Sequence, residues 1–232
     1  MYFDPLYIIL VMPAIVFAMW ASSRVNSTFR KYSQLRTRSG VTGYEAARRV
    51  LDENGLQNVR IERVAGNLTD HYDPRANIIR LSDPVYSSST AAAVGVAAHE
   101  AGHAIQYAKN YSPIKVRNAI IPITRIGSTL AFPLVLIGLV LSQTSQSYIS
   151  IAYLGLILFA SVALFQLITL PTEYNASARA ISAIEGSGIL ATDELDGAKK
   201  VLNAAALTYV AALAVSLMQL LQLFLRVRGN RK

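Results

Sequence analysis

No cysteine occurs anywhere in the 232-residue chain. That absence excludes disulfides, thiolate zinc sites and cysteine nucleophiles together, while leaving the compartment open. Histidine is nearly as scarce, with only His71, His99 and His103 present. Any imidazole chemistry must draw on these three. Charge is largely missing from four long stretches: Pro5 to Ser22, Ala119 to Leu141, Tyr148 to Leu170 and Ala204 to Leu225. A bilayer core of about 30 Å is crossed by roughly 20 helical residues. One apolar run of that length can be a buried core helix, but four in a chain this short predict a protein embedded in the bilayer.

The exceptions within the runs are informative. Arg125 lies near the start of the second, where its side chain can snorkel to the headgroups. Gln219 and Gln222 make the fourth run the weakest candidate; it crosses, lies along the surface or lines the bundle. The first run has Asp4 and no basic residue ahead of it, which reads as an uncleaved anchor rather than a signal peptide.

Acidic residues are also in deficit, 14 against 22 basic ones, for a net charge of +8. Nucleic-acid binding is not the reading, because the basic residues flank apolar runs. Arg24, Arg30, Lys31, Arg36 and Arg38 follow the first, and Lys109, Lys115 and Arg117 precede the second. Basic flanks favour the cytoplasmic side. The uncharged loop Ser142 to Ser147 reads as external. Residues 23–118 and 171–203 are therefore expected inside. Four crossings would put the basic tail "RVRGNRK" outside, against the same rule; three basic flanks outweigh one.

Between the first two runs lies a segment of mixed pattern. Thr42 and Glu45 have the spacing of a capping box. Ala46, Ala47, Val50 and Leu51 continue a helical stripe to a stop at Gly55. "NVRIERV" alternates as a strand, and "NIIRLS", residues 77 to 82, is a second one. The intervening "GNLTDHYDPRA" is rich in turn residues. Pro84 ends the second strand, one of Ser87 to Ser89 caps the next helix, and that helix runs from about Thr90 to Ala108.

This helix contains "VAAHEAGHAIQ", an H-E-x-x-H pattern. A spacing of four returns to nearly the same helical face, so His99 and His103 can converge on one metal ion. Zinc with three protein ligands keeps a position for water and lowers its pKa to about 7. Glu100, beside the first histidine, can take the proton of that water. The small residues Ala91 to Ala98 allow close packing around the site. The extended H-E-x-x-H-x-x-G-x-x-H form is absent, because position 106 is Gln and position 109 is Lys. The third ligand must come from His71 or from a carboxylate. Glu173 stands where the chain leaves the third run, in "PTEYNASARAI". There it is expected to open a helix, and the helix dipole alone would favour it. Asp196, in "ATDELDGAKK", is the remaining alternative.

"LTDHYDPRANIIRLS", "VAAHEAGHAIQ" and "PTEYNASARA", in that order between apolar runs, resemble the YugP-like family of bacterial membrane zinc metallopeptidases. The broader plan is similar to that of HtpX-type membrane proteases. The resemblance implies His99, His103 and Glu173 as zinc ligands, Glu100 as general base, and His71 or Tyr72 as contacts to substrate or the tetrahedral intermediate. In HtpX-type enzymes an aspartate follows four residues after the ligand glutamate; here that position is Ser177.

The expected fold is mainly α, a multi-span membrane helix bundle with a small α+β zincin-like catalytic segment. Its parts are an anchor (1–22), the catalytic segment (23–118), a transmembrane hairpin (119–170), a helix with the third ligand (171–203) and a C-terminal hydrophobic helix with a basic tail (204–232). The expected function is a zinc-dependent endopeptidase with one zinc ion in a bacterial cell membrane. Its site would face the cytoplasm, and its substrate would be a polypeptide, membrane-bound or unfolded, added as a strand along "NIIRLS". Two alternatives stand beside it. A site-2-type intramembrane protease would use Asp196 from an L-D-G element, but five charges in ten residues do not suit lipid. A non-catalytic zinc-binding scaffold would have no need of Glu100.

Overall fold

A computed structural model describes residues 4–230. A π-helical turn, Tyr7–Val11, leads into α1 (Met12–Tyr32), and α2 spans Gly43–Glu53. Three strands follow: β1 (Arg60–Val64), β2 (His71–Asp73) and β3 (Ile78–Ser82). Then come α3 (Asp83–Tyr86), α4 (Ala91–Ala108), α5 (Ser112–Leu141), α6 (Ile149–Gly186) and α7 (Thr192–Gly229). The mainly helical class with a small sheet is as expected. Helices α1, α5, α6 and α7 are long and apolar enough to cross a membrane.

The chain divides into two compact units. One comprises Met1–Ala21, Lys115–Leu170 and Thr208–Lys232; the other comprises Ser22–Ile114 and Pro171–Leu207. In the first, small residues let helices approach. A Cβ on Gly138 would lie 2.3 Å from the Ala152 nitrogen, and one on Gly155 would lie 2.7 Å from the Ala131 carbonyl oxygen. Such close backbone contact is the usual driving geometry for helix association in lipid. The core here includes Ala131, Val135, Ala152, Leu156, Phe159, Leu223 and Val227. Gln222 is buried and donates to Asp4 at 2.6 Å, while Asn230 donates to Ser142 at 2.6 Å. These bonds gather Asp4, the loop after α5 and the end of α7 at one end of this unit.

In the second unit, α2 begins with the expected capping box: Thr42 accepts from the Glu45 backbone and Glu45 accepts from the Thr42 backbone. Gly55 follows at φ +74°, the left-handed conformation that ends a helix. The apolar stripe of α2 packs in one core with Ile79 and Leu81 of β3, the small residues of α4, and Ala180, Ile184, Ala198 and Leu202.

Three expectations are corrected in this unit, two of them in the sheet. The turn-rich segment holds a strand, β2, which pairs antiparallel with β3 in the register His71–Arg80 and Asp73–Ile78. β3 is central in the order β1-β3-β2, so "NIIRLS" is not an edge. Its backbone is already paired on both sides, parallel to β1 and antiparallel to β2. The burial of Ile78, Ile79, Leu81 and Ser82 reflects that central place. The cap of α4 is Thr90, not a serine: its hydroxyl accepts from the Ala93 backbone at 3.3 Å.

Helix α6 brings a further correction. Glu173 does not open a helix, because α6 runs unbroken through Pro171. A proline in a helix interior removes a backbone donor and clashes with the preceding turn. Interior prolines are more frequent in membrane helices than in soluble ones, and α5 carries two more at Pro122 and Pro133. The helix dipole therefore has no special claim on Glu173.

Candidate metal centre

Helix α4 is buried along most of its length, and its composition explains how. A Cβ on Gly95 would lie 3.1 Å from the Ala198 side chain, and a Cβ on Gly102 only 2.5 Å from the Ala176 carbonyl oxygen. Alanine and glycine thus let α6 and α7 lie directly against the helix that carries both histidines. On α6, Glu173, Ala176 and Ser177 share one face by their spacing of three and four. The contact at Gly102 sets that face against His99 and His103.

The result is a compact cluster. The Nε2 atoms of His99 and His103 lie 3.3 and 3.4 Å from the same Glu173 oxygen. The two rings meet edge to face with centroids 4.7 Å apart. One candidate ligand atom from each residue lies within 4.8 Å of the others. Both histidines are mostly shielded, and Glu173 is 2% exposed.

Two imidazole nitrogens and one carboxylate oxygen are a donor set suited to zinc. Tetrahedral bonds of roughly 2.0–2.1 Å put neighbouring ligand atoms roughly 3.3–3.4 Å apart, the separation found here. Electrostatics agree. Burial opposes charge on His103, yet the Glu173 carboxylate, aided by Glu100 and Gln106, holds its pKa above the usual histidine value. The cluster favours a positive charge between its side chains, which a proton supplies in part and a divalent cation supplies fully.

Glu100 is 7% exposed, on the same helix between the two histidines. Two further residues touch the cluster from behind. His99 Nδ1 lies 3.1 Å from the Ser177 hydroxyl, and His103 Nδ1 lies 3.0 Å from the Gln106 side-chain oxygen. Ser177 stands where the resemblance would put an aspartate, and a hydroxyl makes the contact instead. No motif in the sequence marks Gln106 as a partner of the cluster. Its signal was its position three residues after His103, on the same helical face.

The other candidates lie elsewhere. His71 is the exposed residue of strand β2, with Nδ1 2.8 Å from the Thr69 carbonyl and Nε2 3.4 Å from Arg80. Tyr72 donates to Asn77 at 2.9 Å, and its ring packs edge-on against Tyr107, 5.5 Å between centroids. Since Tyr107 is one turn beyond His103, Tyr72 rests on the metal-site helix while His71 does not join the cluster. Asp196 pairs with Lys200 on an exposed face of α7. Asp70, half-hidden, accepts from the backbone and hydroxyl of Ser82 at 2.7 and 2.9 Å. Burial raises its pKa, and the Ser82 bonds oppose that shift.

A family described as "putative neutral zinc metallopeptidase" matches residues 7–228. The chain is 46% identical over 217 residues to a Bacillus subtilis (strain 168) protein named "putative membrane protease YugP", covering 94% of each. No solved structure matches the chain.

Proposed function

The chain belongs to the YugP-like family of membrane zinc metallopeptidases, and from that membership we propose that it is an endopeptidase using one zinc ion held by His99, His103 and Glu173, with Glu100 as general base. The observation that carries this reading is the approach of both histidine Nε2 atoms to one buried Glu173 oxygen, on the helix that also holds Glu100.

When bound there, zinc supplies Lewis acidity, lowering the pKa of a water and polarising a peptide carbonyl. Glu100 takes the proton of the attacking water as the water oxygen bonds to the carbonyl carbon and the C=O π pair moves onto the carbonyl oxygen, to return when the amine leaves. The C–N bond then breaks, and Glu100 passes the proton to the departing amine. Glu173 balances positive charge, and the packing of α4 excludes bulk water, which strengthens each of these interactions.

The substrate reading follows the corrected sheet. An extended polypeptide, membrane-bound or unfolded, pairs with the outer edge of β2 rather than with β3. Two features support this: among the described residues β2 has a strand neighbour on one side only, and Tyr72 packs against Tyr107 of the site helix. His71 and Tyr72 then become substrate contacts. The bilayer is the lasting partner, and the basic flanks Arg24 to Arg38 and Lys109 to Arg117 support a cytoplasmic site in the cell membrane.

The test is purified protein given zinc and an unfolded protein substrate. Cleavage that a chelator stops, zinc restores and Glu100→Gln lacks is the expected result. Cleavage by Glu100→Gln at the wild-type rate would remove the peptidase role from this motif.

A further inference from the structure

A glutamine inside a helix of small apolar residues needs a reason, because a buried amide left unpaired costs about 1–3 kcal/mol. Gln106 is 0% exposed. Its amide nitrogen donates to the Thr172 carbonyl at 2.7 Å and lies 3.0 Å from the Asn175 side-chain oxygen. Its oxygen lies 3.0 Å from His103 Nδ1. We infer that Gln106 is a positioning residue that fixes the tautomer of His103 and the register of α6 against α4 at once, resting on the reading of His103 and Glu173 as ligands.

The direction of every bond in this network follows from groups that have no choice. Arg179 Nε can only donate, and it does so to the Asn175 oxygen at 2.8 Å. That oxygen is therefore the acceptor that the Gln106 nitrogen faces. The Thr172 carbonyl can only accept, which orients the Gln106 amide the same way. The Gln106 oxygen is left to face His103, so His103 Nδ1 must carry the proton and donate it. In the neutral imidazole that a metal ligand must be, the lone pair is then on Nε2, the atom that faces Glu173.

The second role comes from where the amide reaches. Thr172 immediately precedes Glu173 on α6, and His103 lies three residues before Gln106 on α4. One side chain thus grips two ligand-bearing helices beside both ligands. Outer partners that orient ligand histidines commonly change metal affinity by about 10–100-fold when removed. Both partners here, the Gln106 amide and the Ser177 hydroxyl, are neutral, so neither adds negative charge behind the imidazoles.

The experiment uses the full-length protein in detergent, with zinc affinity read by chelator competition. Histidine tautomers are read by nitrogen-15 imidazole spectra, simplified by there being only three histidines. Gln106→Met should weaken zinc binding by about 10–100-fold and deplete the Nδ1–H form of His103, with helix content unchanged. Gln106→Glu keeps an oxygen for His103 but has no amide for Thr172. It should retain the Nδ1–H form while binding zinc less tightly than wild type, and it carries the test alone if the methionine variant does not fold. Zinc affinity within about threefold of wild type in the methionine variant, well short of an outer-partner effect, or loss of the Nδ1–H form in the glutamate variant, overturns the role of Gln106. His99→Ala and His103→Ala are the controls: if they too keep zinc, the metal centre itself has been misplaced.

Discussion

Helices α4 and α5 are both apolar by composition, yet they are apolar for different neighbours. Along α4 the residues are mostly alanine and glycine, and most are buried. Along α5 the bulky residues Ile123, Ile126, Phe132, Leu136 and Val140 are exposed. Small residues admit a neighbouring backbone, whereas large ones left outward need a solvent that is itself apolar. Hydropathy alone does not separate the two cases; side-chain size does. The proposed chemistry sits on the helix that protein surrounds, where side-chain positions are held from several sides.

That contrast can be tested at matched positions, and the largest effect belongs to the reacting group. Glu100→Gln should retain zinc and lose at least about 10²-fold in turnover, the usual scale for a lost general base, as read by single-substrate kinetics. Next comes the proposed ligand that α6 brings to α4. Glu173→Ala should lose most of its zinc in metal analysis, while His71→Ala and Asp196→Ala keep theirs. Full occupancy in Glu173→Ala with loss in one of the others would transfer the ligand role to that residue.

Smaller effects follow from packing. Gly102→Ala would put a methyl 2.5 Å from the Ala176 carbonyl. Overpacking of this kind costs about 1–3 kcal/mol, equivalent to roughly 2–12 °C in the thermal midpoint of a chain this long. Zinc affinity should fall with it, because Ala176 lies one turn from Glu173. The smallest change belongs to α5. Leu136, 63% exposed, packs on little protein, so Leu136→Ala should shift stability by no more than about 0.5 kcal/mol. Equal midpoint shifts in Gly102→Ala and Leu136→Ala would erase the distinction between the two helices.

What the sequence determined by itself was local. A period of 3.6 places His99 and His103 on one face whatever surrounds them. Capping chemistry set the start of α2 by Thr42 and Glu45, and run length marked four helices that could cross a bilayer. What only the tertiary structure decided depends on residues far apart in the chain. Strand order is one such outcome: the pattern of "NIIRLS" indicates a strand, but its central place arises because β2 folds back onto it from a segment that reads as turn. The continuity of α6 is another, since a proline at 171 reads as readily as a helix break as a residue within one long helix. The choice of carboxylate is a third. Glu173 and Asp196 are each plausible in sequence, and a glycine-to-backbone contact at Gly102 brings α6 close enough to α4 for Glu173 to meet both histidines. Gln106 belongs to the same class: His103 is its neighbour on α4, but Thr172 and Asn175 reach its amide only when α6 docks, and a buried amide has a defined orientation only once those partners surround it.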